Sequence, residues 1–301
     1  VSFGDDDAVC ACPECVRARE EGGSGCAPAL LWADRVGNLL SRRCPGVSLV
    51  LSLSGSFETP PNRVPSSEVV IIGLTPSDAD QRLYYEQSID MRTMTFVANL
   101  QKWRELNARI VIRHAVGRHA SPLAPFPDFS QLAANVDMYH YQFVEGLLFE
   151  CPPCPGIFSP FAELRIWLLS ELMWDRYQDS ESLVRDWMRN VYGNARGPMM
   201  DYWKHIQNLA AAPNIRIGID TEPDTYIDDT WLSDADRMVQ RAYALSLADA
   251  DSHRHVVRER FGLRYVQLRR IFTVSPGAGR RERYLRMLDT WVEDAGVLGI
   301  N

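Results

Sequence analysis

The stretch VSLVLSLSGSFE, Val47–Glu58, carries the pattern that decides the fold of this chain. Its apolar run predicts a strand over Val47–Leu53, which Gly55 closes, and an acidic residue, Glu58, follows at the carboxyl end. A second apolar run, Val69–Leu74, comes soon after and leads into an amphipathic pattern over Met91–Leu106. The chain therefore begins as an alternation of short strands and helices.

The same alternation extends in both directions from this stretch. Further strands are predicted at Val1–Gly4, Arg109–His114 and Gly146–Glu150, and further helices at Pro28–Arg43 and Phe129–Phe143. Such an order predicts parallel strands with helical crossovers, either in a doubly wound sheet or in a (β/α)8 barrel. No Gly-rich phosphate loop follows a strand, which argues against a dinucleotide-binding or P-loop fold.

Polar residues follow the carboxyl ends of these strands, which is where barrel enzymes gather their catalytic groups. They are Asp5, Asp6, Asp7, Glu58, His114 and Glu150. This placement favours the barrel. Because the chain opens directly on a strand, we expect a piece of a longer protein that holds strands 4 to 8 of the barrel, with three strands upstream.

From residue 159 the pattern becomes entirely helical. Helices are predicted at Phe161–Trp174, Ser180–Tyr192, Pro198–Ala211, Trp231–Ala248, His253–Phe272 and Arg280–Val297. We therefore predict a barrel part over residues 1–158 and a helical domain over 159–301. Tryptophans in these helices recur with aliphatic residues at core spacing and are expected in the core; they are Trp167, Trp174, Trp187 and Trp203.

Composition limits the possible partners. The chain has 301 residues and a formal net charge of −7, so it offers no basic field for nucleic acid. The longest apolar stretch, Phe161–Trp174, is too short and too charged to span a membrane. A neutral or weakly charged substrate fits this balance, and no cofactor motif is present.

Four stretches, in the same order along the chain, resemble a bacterial carbohydrate-active family catalogued as a domain of unknown function. They are VSFGDDDAVCACPEC from Val1, LAPFPDFSQLAANV from Leu123, FAELRIWLLSELMWD from Phe161 together with NVYGNA from Asn190, and RFGLRYVQLRR from Arg260. Some members of that family are endo-β-N-acetylglucosaminidases. The resemblance implies a glycosidase-like barrel followed by a helical domain, a carbohydrate substrate, and a periplasmic or secreted location.

A second resemblance concerns the mechanism. The run Gly4-Asp5-Asp6-Asp7 is similar to the Gly-Gly-Asp-Glu turn that follows the fourth strand in β-hexosaminidases with substrate assistance. It implies Asp7 as the general acid and Asp6 as the carboxylate that orients the 2-acetamido group. Two adjacent carboxyl groups suit these tasks, since repulsion raises the pKa of one of them. Binding roles are then expected for Asp5, Glu58, His114 and Glu150, although Asp-rich turns are also common without function.

Departures from these relatives leave other functions open. Aromatic residues expected after two of the strands are absent, which leaves open either a different substrate or support of the acetamide by Tyr84, Tyr85 or Tyr139. One alternative is a barrel glycosidase of other specificity, such as uronic-acid release by Asp7 and Glu150 across the barrel. Another is a glycan-binding module without catalytic activity.

The cysteines allow three interpretations. Cys10, Cys12, Cys15 and Cys26 could give four thiolates to zinc, although the C-x-C spacing places adjacent ligands in tight geometry. Disulfides or free thiols explain the same residues. Either a metal or a disulfide would stiffen the loop behind Asp6 and Asp7. The later pair, Cys151 and Cys154, follows a strand, which favours a structural role.

Overall fold

The computed structural model describes residues 10–64, 66–117, 121–150, 159–211, 215–273 and 279–300. The chain divides into two compact units. Unit 1 comprises Val1–Asp80, Tyr84–Val116 and Asp137–Glu150, and unit 2 comprises Gln81–Leu83, Gly117–Val136 and Cys151–Asn301. The boundary predicted between residues 158 and 159 adjoins the undescribed segment 151–158 and stays a prediction.

Unit 1 is built on a parallel sheet. Its strands are β1 (Leu49–Leu53), β2 (Val70–Leu74), β3 (Ile110–Ala115) and β4 (Gly146–Glu150). They lie in the order β1-β2-β3-β4, and each neighbouring pair is parallel. This confirms the mixed α/β class and the parallel arrangement; the strand predicted at Val1–Gly4 lies outside the described residues.

Four helices belong to the first 150 residues: α1 (Pro13–Gly22), α2 (Ala27–Arg43), α3 (Met91–Glu105) and α4 (Phe129–Tyr141). The start of α3 is fixed by Asp90, whose carboxylate accepts a hydrogen bond of 2.9 Å from the backbone N–H of Thr93, as Asp does at helix N-caps. Helix α1 was not predicted. It has proline at its first position and ends at Gly23, whose φ of 69° suits a left-handed cap.

One face of the sheet packs against helices. The strand register places Leu51, Ile72 and Ile110 on this face, because alternate residues of a strand share a face. All three lie in a single core cluster with residues of α2, α3 and α4, namely Ala29, Leu30, Ala33, Phe96, Leu100, Trp103, Met138 and Tyr139. On the opposite face Val50 and Leu148 are exposed, so these helices cover one side of the sheet.

Unit 2 contains the helices α5 (Ala162–Trp174), α6 (Ser180–Tyr192), α7 (Arg196–Gln207), α8 (Asp229–Ser246), α9 (Ala250–Thr273) and α10 (Arg280–Leu298). These confirm the helical C-terminal region. The long helix α9 contacts α6, α8 and α10. Within the described part of the chain, no helix has the length and apolar character needed to cross a membrane. Trp174 is 91% exposed, so the expectation that it is a core residue was wrong.

A buried ion pair lies inside unit 2. The Nη2 of Arg165 is 2.9 Å from the Oδ1 of Asp128, and both side chains are 1% exposed. Arg165 also donates to Ser159, and the backbone N–H of Gly117 donates to the second Asp128 oxygen. Since each charge is paired and hydrogen-bonded, the network meets the condition under which buried charges are tolerated.

Candidate active site

The structure places three of the predicted binding residues at the carboxyl ends of strands. Glu58 ends a short 3₁₀ turn (Gly55–Glu58) just after β1, His114 lies near the end of β3, and Glu150 ends β4. The three acidic residues Asp5, Asp6 and Asp7 lie outside the described residues. Their predicted catalytic and binding roles stay predictions.

The sheet separates His114 from Glu150. In the register of β3 and β4, His114 is the partner of Phe149 and Ala115 is the partner of Glu150. Side chains of paired residues share a face, and neighbours along a strand alternate. His114 therefore lies on the helix-packed face, whereas Glu150 lies on the opposite face and is not brought together with it.

Arg113 lies on the same face as Glu150 and pairs with it. The Nε of Arg113 is 2.7 Å from the Oε1 of Glu150, and the two side chains are 43% and 32% exposed. Helices α2, α3 and α4 pack on the other face, and both side chains of this ion pair are partly exposed. An arginine and a carboxylate side by side can donate to and accept from neighbouring sugar hydroxyl groups.

A second, similar ion pair joins the amino ends of the same two strands. Arg109 precedes β3 and Glu145 precedes β4, and their charged atoms are also 2.7 Å apart, with both side chains about two-fifths exposed. The hydrogen bond from Arg109 lowers the pKa of Glu145. Arg109 also donates to the Glu68 carbonyl at 2.7 Å, and the two ion pairs lie at opposite ends of the sheet.

His114 is buried between two tyrosines. Its Nε2 is 3.3 Å from the hydroxyl of Tyr85, and its Nδ1 is 3.0 Å from the hydroxyl of Tyr139. Burial lowers the pKa of His114 to about 3. A neutral imidazole has one N–H, so one tyrosine accepts a hydrogen bond and the other donates. The ring contacts these hydroxyls rather than solvent, and its predicted contact with substrate stays a prediction.

Glu58 is buried as a carboxylic acid. Burial raises the pKa of Glu58 to about 8, against a lowering effect of the Thr75 backbone hydrogen bond and with a further rise from Asp78. The indole N–H of Trp103 donates to the Glu58 carbonyl at 2.8 Å and holds the turn in place. Among the described residues, the Oε1 of Glu58 has no hydrogen-bond partner. At neutral pH this side chain keeps its proton and can donate a hydrogen bond.

The sequence did not point to the residues that bind the predicted site residues, namely Arg113, which pairs with Glu150, and Trp103, which donates to Glu58. Arg113 could have been found, because an arginine one position before His114 in a short strand must face the other side of the sheet. The hydrogen bond from Trp103 to Glu58 joins residues that are far apart in the chain. A local sequence pattern therefore does not predict it. Tyr85 and Tyr139 were considered for an acetamide, but the structure places both beside His114.

The four cysteines proposed as zinc ligands do not converge as one set. The sulfurs of Cys10, Cys12 and Cys15 lie within 4.8 Å of one another. Cys26 is instead fully buried, and its sulfur contacts the Ser24 hydroxyl at 3.1 Å. The described cysteines, these four and Cys44, are all free thiols.

Comparison with known protein families places most of the chain in one family model. The family described as a domain of unknown function, DUF4838, matches residues 1–205. This range includes three of the stretches on which the family resemblance was based, and the stretch that begins at Arg260 lies beyond it. No curated protein and no solved structure matches the chain.

Proposed function

The chain belongs to the DUF4838 family, and we propose that it is part of a barrel glycoside hydrolase that acts on N-acetylhexosamine linkages with retention of configuration. In this proposal the sheet of unit 1 supplies strands 5 to 8 of a (β/α)8 barrel, and the segment that begins at Val1 supplies strand 4. Unit 2 corresponds to the helical domain that was predicted to follow the barrel.

The one-sided packing of the sheet supports the barrel. A doubly wound sheet carries helices on both faces, whereas a barrel carries them on its outer face only. Here α2, α3 and α4 share one face and one core. The strands also follow one another in chain order, as barrel strands do.

The observation that carries the functional proposal is the ion pair of Arg113 and Glu150. It lies at the carboxyl ends of β3 and β4, on the face that a barrel turns inward. Barrel enzymes bind substrate at this end, and residues at the opposite end serve stability. We assign Arg113 and Glu150 to the binding of sugar hydroxyl groups.

The proposed chemistry uses the two residues Asp6 and Asp7. The oxygen of the substrate's 2-acetamido group attacks the anomeric carbon while Asp7 gives its proton to the leaving oxygen. Asp6 holds the acetamide N–H during this step. Water then opens the cyclic intermediate, with its proton passing to Asp7, so that the configuration at the anomeric carbon is retained.

Glu58 and His114 are both buried, and in this proposal they support the site. Tyr139 lies near enough to Glu58 that burial and the charges of Tyr85 and Glu58 together raise the pKa of Tyr139. These groups form a neutral polar layer, and we assign them to positioning the ends of β1 and β3 rather than to direct contact with the reacting bond.

The two ion pairs provide the test, with the longest natural form of the protein as the enzyme. Glu150→Gln should lower kcat/KM on an aryl N-acetyl-β-glucosaminide by at least about 10-fold, since hydrogen bonds to a charged group are worth about 1.5 to 3 kcal/mol. Glu145→Gln, the matched control at the amino ends of the same strands, should leave activity unchanged. Equal effects of the two variants would show that Glu150 has a structural role only.

The catalytic pair requires a second comparison. Asp7→Asn should slow turnover by roughly 10²- to 10⁴-fold on poor leaving groups and spare activated aryl glycosides. Asp6→Asn should slow both. An aryl β-glucoside, which lacks the acetamide, should be hydrolysed far more slowly by the unaltered enzyme. Equal hydrolysis of both substrates would rule out substrate assistance and favour another barrel specificity, and no hydrolysis of either would favour a binding module.

A further inference from the structure

A cluster of three thiols lies at the start of helix α1. Cys12 is the residue just before the helix, and Cys15 lies in its first turn. Cys10 precedes them, and its carbonyl accepts a hydrogen bond of 2.6 Å from the guanidinium of Arg19, which holds the incoming chain against the helix. The backbone thus directs three sulfurs to one place.

The spacing of these sulfurs suits a metal ion. All three lie within 4.8 Å of one another, and three thiolates bound tetrahedrally at about 2.3 Å from zinc are separated by about 3.8 Å. Closing the cluster around an ion therefore needs side-chain shifts of about 1 Å or less. A disulfide needs only two sulfurs, so it does not explain why the third converges with them.

The other described cysteines do not join this cluster. Cys26 is fully buried, and its sulfur lies 3.4 Å from the carbonyl oxygen of Thr59. Cys44 is an exposed thiol outside the group. The candidate set is thus smaller than the four ligands that the sequence suggested.

We propose that Cys10, Cys12 and Cys15 bind one zinc ion as thiolates, with water or a further ligand in the fourth tetrahedral position. The ion stabilises the start of α1 against the segment that leads into it. This inference stands independently of the proposed glycosidase activity, because it rests only on the geometry of the thiols.

The test begins with the reduced, metal-free chain titrated with Co²⁺, which reports tetrahedral thiolate binding by charge-transfer absorption. One equivalent of Co²⁺ should bind, and Zn²⁺ should displace it. Cys10→Ser, Cys12→Ser and Cys15→Ser should each weaken zinc binding by at least about 10²-fold, because losing a ligand costs more than losing a group that only hydrogen-bonds to a ligand. Absence of the absorption in the reduced chain would overturn the proposal.

Control variants separate this site from the remaining thiols. Cys44→Ser, Cys26→Ala and the double variant Cys151→Ser/Cys154→Ser should keep the full Co²⁺ signal. Loss of the signal in any of them, with circular dichroism unchanged, would overturn the three-thiol set. Alkylation mapped by mass spectrometry gives a second measurement: Zn²⁺ should protect Cys10, Cys12 and Cys15 but leave Cys44 reactive, and equal labelling with and without Zn²⁺ would refute the site.

Discussion

Replacing Glu58 by glutamine should change how the stability of the protein depends on pH. Glutamine has nearly the same shape as a protonated glutamate but cannot ionise. Because burial raises the pKa of Glu58 to about 8, the native glutamate holds its proton over a pH range in which the unfolded chain has released it. The variant should remove this difference with little disturbance of packing.

The sign and size of the effect follow from proton linkage. Between an unfolded pKa of 4.5 and a folded pKa of about 8, the folded state binds one more proton than the unfolded state. Stability from this group is therefore complete below the unfolded pKa and is lost as pH rises through the folded pKa. At 1.36 kcal/mol for each pH unit, the loss between pH 5 and pH 8 is about 3.5 kcal/mol.

Urea unfolding followed by circular dichroism at pH 5, 6, 7 and 8 measures this directly. The free energy of unfolding of Glu58→Gln, relative to the unaltered protein, should rise steadily from pH 5 to pH 8. Glu181→Gln, at an exposed position, is the control and should show no such trend. Other buried acids such as Glu259 are present in both proteins and cancel. Parallel curves for Glu58→Gln and the unaltered protein would refute the account of Glu58 as a buried neutral acid.

Three other substitutions test the structure in the same assay. Arg165→Met should lower the free energy of unfolding by about 3 to 5 kcal/mol because it leaves the Asp128 carboxylate buried and unpaired. The control Arg189→Met breaks an exposed ion pair and should lower it by less than about 1 kcal/mol. Similar losses in the two variants would contradict the buried network. The free energy of unfolding of His114→Gln, relative to the unaltered protein, should rise as pH falls from 6.5 to 3, since burial lowers the pKa of His114 to about 3. A difference that does not change with pH would contradict this. Phe143→Gly should stabilise the protein by about 1 kcal/mol, because Phe143 has a left-handed φ of 58° while its side chain is exposed. The Arg104 guanidinium lies 5.6 Å from the centre of the Phe143 ring, and a loss of stability would show that this contact outweighs the backbone strain.

The strands and most helices could be predicted because their patterns are local. The interior strands of a parallel sheet are continuous apolar runs, and Val69–Leu74 differs from β2 by one residue. Helix α1 was missed for the opposite reason: it has no buried residue, so it offers no apolar periodicity. The helical spacing of Trp174 predicted a core residue, but Trp174 is the last residue of α5 and its side chain is exposed. Spacing alone therefore does not predict burial at the end of a helix.

The candidate site could be predicted only in part. Polar residues at strand ends were found from the sequence, since the end of an apolar run is visible. Which face each one occupies depends on the strand register and on the side to which helices pack. For this reason Glu150 and His114 were assigned to one site, although the register places them on opposite faces. That Arg113 faces away from His114 follows from the alternation of the strand, but its pairing with Glu150 depends on the register of β3 and β4.

Glu58 and His114 make the stability of the protein depend on pH in opposite directions. With an ordinary pKa of 6.5 and a folded pKa of about 3, the neutral His114 contributes stability that is lost as pH falls below 6.5, because the unfolded chain then binds the extra proton. Glu58 contributes in the opposite direction as pH rises above 4.5. Between pH 4.5 and 6.5 the two proton differences cancel, so their joint contribution is level there and falls on both sides. In Glu58→Gln only the His114 contribution remains, so it should rise from pH 3 to pH 6.5 and be level above pH 6.5. In His114→Gln only the Glu58 contribution remains, so it should be level below pH 4.5 and fall from pH 4.5 to pH 8. Two buried groups of opposite charge type thus give the carboxyl ends of β1 and β3 a shared optimum in mildly acidic solution.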